Sequence, residues 1–329
     1  MKYSLSSPTR VDFAGGTLDC WPLYLLVPGS CTINLSISVS TYVELEPRTD
    51  EHIRIEVSDL GFVKNFSSLE ELLEETAPEL QLIQAHLKYF RPSLGFVLRT
   101  RSESPVGGGL GGSSSLCISL IKAFKKWLDL NLTPEQIVGL AGDIEAQILR
   151  KPTGTQDYFP ALLSGLNLIE YGPGGFSHRR LPFPEDLFRQ SMTLIYTGQP
   201  HHSGLNNWQV IKAAVEGDPQ TLSNLEALRD VATEMKELCL KGNWQDLPSL
   251  FNREYEARVQ LSEAFVSEEI LRLKELSLAH GGQAVKICGA GGGGCVMLWS
   301  EPEQKQALME ACQKSGFQTI AAQPVVAPA

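Results

Sequence analysis

Residues Pro105 to Ser115 read Pro-Val-Gly-Gly-Gly-Leu-Gly-Gly-Ser-Ser-Ser, and an amphipathic helix pattern follows at once. Gly107, Gly108, Gly109, Gly111 and Gly112, interrupted only by Leu110, let backbone N–H groups turn inward and approach an anion with no Cβ in the way. The helix start adds unpaired N–H donors and the positive end of the helix dipole. Ser113, Ser114 and Ser115 stand at that start, where a hydroxyl caps the helix or reaches a metal bound to phosphate. Such a loop suits a nucleotide phosphate.

Three further segments carry chemistry. In Ser7-Pro8-Thr9-Arg10-Val11-Asp12-Phe13-Ala14-Gly15-Gly16-Thr17-Leu18-Asp19 an arginine and an acid flank a Gly-Gly bend after a short strand. The bend can aim Asp19 at sugar hydroxyls, because one carboxylate accepts hydrogen bonds from neighbouring OH groups. Arg10 can stabilise charge on a transferring phosphoryl or hold a catalytic acid ionised. The bland alternative is an Arg–Asp pair that only holds a turn. Pro152-Thr153-Gly154-Thr155-Gln156-Asp157 follows a helix that carries Glu145. The two acids can supply a base and a metal ligand, although each alone is an ordinary solvated or capping acid. Lys286 to Gly294 is a second glycine loop, set between two strands. It is a poor anion site by itself, but it lets backbone pass close to another loop or a ligand. His201 and His202 follow a strand and suit a substrate-contacting loop. Adjacent side chains of an extended segment diverge, which disfavours a metal pair. Trp21 and Trp208 can stack on a sugar face or pack in a core.

The elements that must position these groups are legible in the periodicity. Leu94 to Thr100 is rich in strand formers and leads into the first glycine loop. Leu116, Leu120, Ile121, Phe124, Trp127 and Leu128 then recur at helical spacing. Tyr42–Glu46 and Ile53–Val57 alternate around a turn-rich stretch and predict a hairpin. Leu69 to Phe90 is helical in pattern and broken at Pro78. Thr133-Pro134-Glu135-Gln136 is a capping box with proline at the first helical position. The apolar face of the helix it opens is Ile137, Leu140, Ala141, Ile144 and Ile148. A strand pattern, Leu166–Tyr171, runs into Gly172-Pro173-Gly174-Gly175, the expected domain boundary. Beyond it come a strand (192–196) and long amphipathic helices over 205–278. The last part reads strand, glycine loop, strand, helix and strand.

A chain of 329 residues has room for two domains. The formal charge of −10 argues against a nucleic-acid binder that works by neutralising phosphates. It does not exclude a nucleotide substrate. Seven cysteines without Cys-x-x-Cys or zinc spacing, and a polar start at Met1–Arg10, fit a reducing cytoplasm. No run reaches the roughly 18 apolar residues of a membrane span. The expectation is a soluble cytoplasmic protein, monomer or homodimer, with a small-molecule partner and neither nucleic acid nor membrane.

Taken in order, the Pro8–Asp19 segment, the Pro105–Ser115 loop and the Lys286–Gly294 loop resemble the motifs of the GHMP kinase superfamily. This superfamily includes galactokinase, homoserine kinase, mevalonate kinase and phosphomevalonate kinase. Arg10, the Ala14-Gly15-Gly16 bend, Asp19 and the run from Pro152 to Asn167 look like its sugar-kinase branch, with the heptose-7-phosphate kinases and fucokinase domains. The resemblance implies an α+β fold of two domains. Residues 1–175 would form an ATP-binding and catalytic domain of the ribosomal S5 domain 2-like kind, and 176–329 a ferredoxin-like substrate or lid domain. It implies transfer of the γ-phosphoryl group of ATP, with Mg²⁺, to a hydroxyl of a sugar or sugar phosphate, the anomeric one included. On this reading Pro105 and Gly107 to Ser115 wrap the phosphates, and Ser113 and Glu145 hold the metal. Asp157 accepts or orients the substrate proton beside Arg10. Gly16, Thr17, Asp19, Gly154, His202, Gly291 and Gly292 meet the acceptor. Two departures stand out: Gly112 replaces the family's first serine, and Gly16-Thr17 replaces the Glu-His of galactokinases.

Gly107-x-Gly109-x-x-Gly112 also matches a dinucleotide-binding spacing. That fingerprint belongs at the first strand of a βαβ unit, with an acid about 20 residues on. Here about a hundred residues precede it, and the stretch near Trp127 is still helix. Two alternatives are an isoprenoid kinase of the mevalonate type and a silent sugar- and ATP-binding regulator. The bend favours a polyol over the first, and Arg10, Ser113, Glu145 and Asp157 together count against the second.

Overall fold

The computed structural model describes residues 1–200, 203–289 and 291–326. Its strands are β1 (Tyr3–Ala14), β2 (Cys31–Pro47), β3 (Ile53–Val57), β4 (Phe62–Phe66), β5 (Phe96–Ser102), β6 (Leu166–Gly172), β7 (Gly175–Leu181), β8 (Met192–Tyr196), β9 (Gly282–Ile287), β10 (Cys295–Ser300) and β11 (Gln318–Ile320). The long strand β2 organises the first sheet. One edge pairs with β1, from Tyr3 opposite Leu45 to Ala14 opposite Ile33. The other pairs with β6 over 31–35 and with β5 over 41–47. The order is β4-β3-β5-β2-β6-β7, with β1 beside β2.

Ile33, Leu35, Ile37 and Val39 of β2 enter one core and Val43 and Leu45 another. The irregularity at 37–40, where the register with β1 shifts between Pro8 and Thr9, interrupts the period of two and turns the same parity to the other face. Helices Gln81–Phe90, Gly112–Trp127 and Pro134–Leu149 supply apolar faces to the second of these cores. Thr133 forms the expected capping box with Gln136. The predicted hairpin of Tyr42–Glu46 with Ile53–Val57 is not formed. β5 lies between the two segments, antiparallel to β2 and parallel to β3. Local alternation marks both segments as strands, but a later strand decides which neighbours they take.

The second sheet is antiparallel in the order β11-β8-β10-β9, the arrangement of a ferredoxin-like β-α-β-β-α-β unit. Helices Pro219–Lys241 and Leu247–Val259 share one core with β1, β2, β8 and β10. There Phe13 of β1 stacks on Phe188 at 5.6 Å and meets Phe251 edge-on at 5.2 Å. This common core seats the two halves against each other and so fixes the cleft between them. Gly172-Pro173-Gly174-Gly175 is the turn of a β6–β7 hairpin, and β7 keeps the chain in the first sheet to Leu181. The change of sheet falls between Leu181 and Met192. All seven cysteines are free and buried. No helix among the described residues is long and apolar enough to cross a membrane.

Candidate active site

The first glycine loop joins β5 to the Gly112–Trp127 helix, whose start has no side-chain cap. It is held from behind. The Arg10 N–H donates to Leu110 O (3.0 Å), the Arg10 guanidinium to Gly109 O (2.5 Å) and the Cys295 N–H to Gly108 O (2.8 Å). The last bond comes from the strand that leaves the second glycine loop, so the two loops meet in one place. With these carbonyls occupied, Pro105 to Gly109 and Gly111 to Ser114 line a cleft of about 480 Å³. Two residues expected to wrap the phosphates turn their side chains away from the cleft. Leu110 is buried in the core between the two sheets. Ser115 is buried, donating to Ser7 O (2.9 Å) and bonded to Thr41 Oγ1 (2.9 Å). Successive residues of a helix turn by about 100°, so three consecutive serines cannot all face one cleft.

Glu145 reaches the cleft from the Pro134–Leu149 helix and accepts from Ser113 Oγ at 2.6 Å and Ser114 Oγ at 2.7 Å. Burial pushes its pKa up against the pull of these hydroxyls and of Tyr158. Asp157 stands across the loop, with Arg10 Nε and Nη2 both 2.7 Å from its Oδ1. Burial works against the Arg10 charge, but Asp157 and Asp12 outweigh it and leave that pKa raised. A Cβ at Gly111 (φ +71°) would stand 3.2 Å from the Asp157 carboxylate, so glycine serves both the turn and the approach. What aims Asp157 is the buried polar row of β2. Asn34 Nδ2 donates to Gln156 O (3.0 Å), and Ser36 Oγ donates to Pro160 O (3.0 Å).

The Gly15–Asp19 bend forms the opposite wall. Asp19 is buried and accepts from the Gln156 N–H at 3.1 Å. Burial and the nearby Asp157 push its carboxyl up to about 7. A side chain at Gly154 would overlap Asp19 Oδ2. Gly16, Thr17, Asp19 and Gly154 thus line one end of the cleft. Thr17 holds φ +82°, rare outside glycine, and its hydroxyl donates to Asn207 Oδ1 at 3.1 Å. Asn207, from the Ser203–Val215 helix, also lines the cleft, as do Gln156 and Gly289. Gln156 and Gly289 belong to segments already marked in the sequence, whereas Asn207 was not singled out, because no spacing links it to the bend it joins. Asn207 is 190 residues from Thr17. Of the second loop, Gly289 lines the cleft. Gly291 and Gly292, expected at the acceptor, pack on Phe265, whose carbonyl accepts the Gly292 N–H at 3.0 Å. His202 lies outside the described residues.

The arrangement can act as an anion cradle flanked by acids, and segments far apart in sequence build it. The GHMP kinases N terminal domain family model matches residues 79–165, and the GHMP kinases C terminal model matches residues 235–317. The chain belongs to the GHMP kinases. It is an ATP-dependent kinase, and its two-sheet fold is that of this family. This GHMP kinase is 27% identical over 318 residues to the D-glycero-alpha-D-manno-heptose 7-phosphate kinase of Campylobacter jejuni, covering 94% of this chain and 92% of that one. It is 26% identical over 323 residues to the mevalonate kinase of Pyrococcus furiosus, covering 93% and 91%. Among solved structures, a D-glycero-D-manno-heptose 1-phosphate kinase from Bacteriodes thetaiotaomicron superposes with a TM-score of 0.79 at 24% identity, covering 99% and 97%.

Proposed function

We propose that this kinase transfers the γ-phosphoryl group of ATP to a hydroxyl of a sugar or sugar phosphate, the anomeric hydroxyl included. The observation that carries the reading is the chemistry of the acceptor end. Asp19, Asp157, Gln156, Thr17 and Asn207 offer groups that bond hydroxyls. Arg10 is the one lysine or arginine among the described lining residues, and Asp157 already engages it. A carboxylate-bearing acceptor of the mevalonate kind would face acids there without a free cation, whereas a polyol finds partners. A phosphate carried by the acceptor would lie outside this pocket. At the other end, Leu60, Val106 and Leu149, exposed by 50%, 73% and 47%, give an apolar border that suits a nucleobase.

In this reading the loop amides and the open helix start grip the phosphates. Asp157 orients the acceptor hydroxyl and takes its proton as the oxygen attacks the γ-phosphorus. Arg10 keeps that carboxylate ionised and lends positive charge to the transferring group. Ser113 and Glu145 are hard oxygen donors of the kind Mg²⁺ takes, beside phosphate and water. When bound, Mg²⁺ neutralises phosphate charge.

Release of ADP from Mg·ATP with a panel of monosaccharides, sugar phosphates and mevalonate tests the proposal. Turnover with a sugar is expected. Turnover of mevalonate alone would overturn it in favour of an isoprenoid kinase, and tight sugar binding without turnover in favour of a regulator.

A further inference from the structure

Beneath the acceptor bend lies a cluster of four charged side chains, none of which lines the cleft. Asp12 of β1, Glu254 and Arg258 of the Leu247–Val259 helix and Lys286 of β9 each have a side chain at most 1% exposed. Arg258 bonds Glu254 Oε1 through Nε (2.8 Å) and Nη2 (2.6 Å), and Nη2 lies 3.4 Å from Asp12 Oδ2. Lys286 Nζ stands 3.2 Å from Asp12 Oδ2 and 3.3 Å from Glu254 Oε2. Stability is a weak reason for such a cluster, because well-packed apolar residues of the same volume often serve as well or better. Asp12 Oδ1 moreover has no hydrogen-bond partner among the described residues.

The cluster also reaches the bend that lines the cleft. Arg258 Nη2 donates to Gly16 O at 3.2 Å. A Cβ at Gly16 would stand 2.6 Å from Asp12 Oδ2, so the bend rests directly on the charges. That bend carries Thr17 and Asp19 into the cleft. We propose that Arg258 is a positioning residue for the acceptor site, holding the Gly15–Thr17 bend from the second half of the molecule while Asp12, Glu254 and Lys286 hold Arg258. A guanidinium fork reaches Glu254 and Gly16 O together, and a lysine in its place cannot. This rests on the kinase reading of the cleft.

The test uses the full chain with Arg258→Lys and Arg258→Met, and two readouts. In hydrogen exchange, the amides of Leu18 and Cys20, bonded to Gly15 O and Thr17 O, are expected to exchange at least tenfold faster. The Gly112–Trp127 helix should keep its protection. In steady state, KM for the acceptor is expected to rise at least tenfold, with KM for ATP within twofold. Arg258→Lys keeps the charge balanced and serves if Arg258→Met does not fold. An unchanged bend, or exchange that rises uniformly, would overturn the proposal and leave a merely structural cluster. If the parent turned over no sugar, the kinase reading of the acceptor would fall while the exchange data still decided the role of Arg258.

Discussion

Asp19→Asn is expected to make the protein more stable near pH 8 while impairing it as an enzyme. Asp19 titrates near 3.8 in an ordinary setting and is pushed up to about 7 by burial and by Asp157. Between those values the unfolded chain has lost this proton and the folded chain has kept it. Stability therefore falls as pH rises through the window and levels off above 7. About three units of displacement correspond to roughly 4 kcal/mol at pH 8. That is large beside a typical net stability of about 5–15 kcal/mol. Asparagine carries no charge to bury, and its oxygen can still accept the Gln156 N–H. Melting temperatures of both proteins, measured from pH 4.5 to 8.5 without ligand, should converge at the acid end. They should separate toward pH 8, with the variant higher by on the order of 5 °C. Acceptor kcat/KM should fall by roughly 10–100-fold, the worth of a charged hydrogen bond. A variant that is less stable at pH 8, or a difference that ignores pH, would refute the reasoning.

Three further outcomes are expected. Asp157→Asn should lower turnover by roughly 10²–10³, while stabilisation by Mg·ATP persists in a thermal-shift assay; unchanged turnover would remove Asp157 from the mechanism. Glu145→Gln should raise the Mg²⁺ concentration needed for half-maximal rate by about tenfold, on the order of 1.4 kcal/mol, read from a metal titration at fixed ATP; an unchanged titration would assign Glu145 to Ser113 and Ser114 alone. Gly154→Ala places a methyl where Asp19 Oδ2 now stands. It should raise acceptor KM at least tenfold with little change in KM for ATP, on the order of 1.4 kcal/mol of misplaced contact.

What the sequence by itself determined was local: the anion loop and the helix behind it, the capped Pro134–Leu149 helix, and the strand–loop–strand–helix–strand run of the second sheet. Each of these is written within a few neighbouring residues, as glycines where backbone must approach or turn, hydroxyls at helix starts, and apolar positions at a period of two or 3.6. Arg10, Asp19, Glu145 and Asp157 could be marked beside such a bend or helix, but each alone also reads as a turn-holding pair or an ordinary acid, and their expected roles came from the resemblance to the GHMP kinases. Tertiary structure decided the rest. It inserted β5 between β2 and β3, turned Ser115 inward and moved the change of sheet beyond Leu181. It also brought Asn207 to Thr17 and Arg258 to Gly16 across the shared core. The physical reason is common to all of these. A pattern within one element specifies which face is buried. Which distant element covers that face depends on how whole sheets and helices pack, and only the folded chain carries that information.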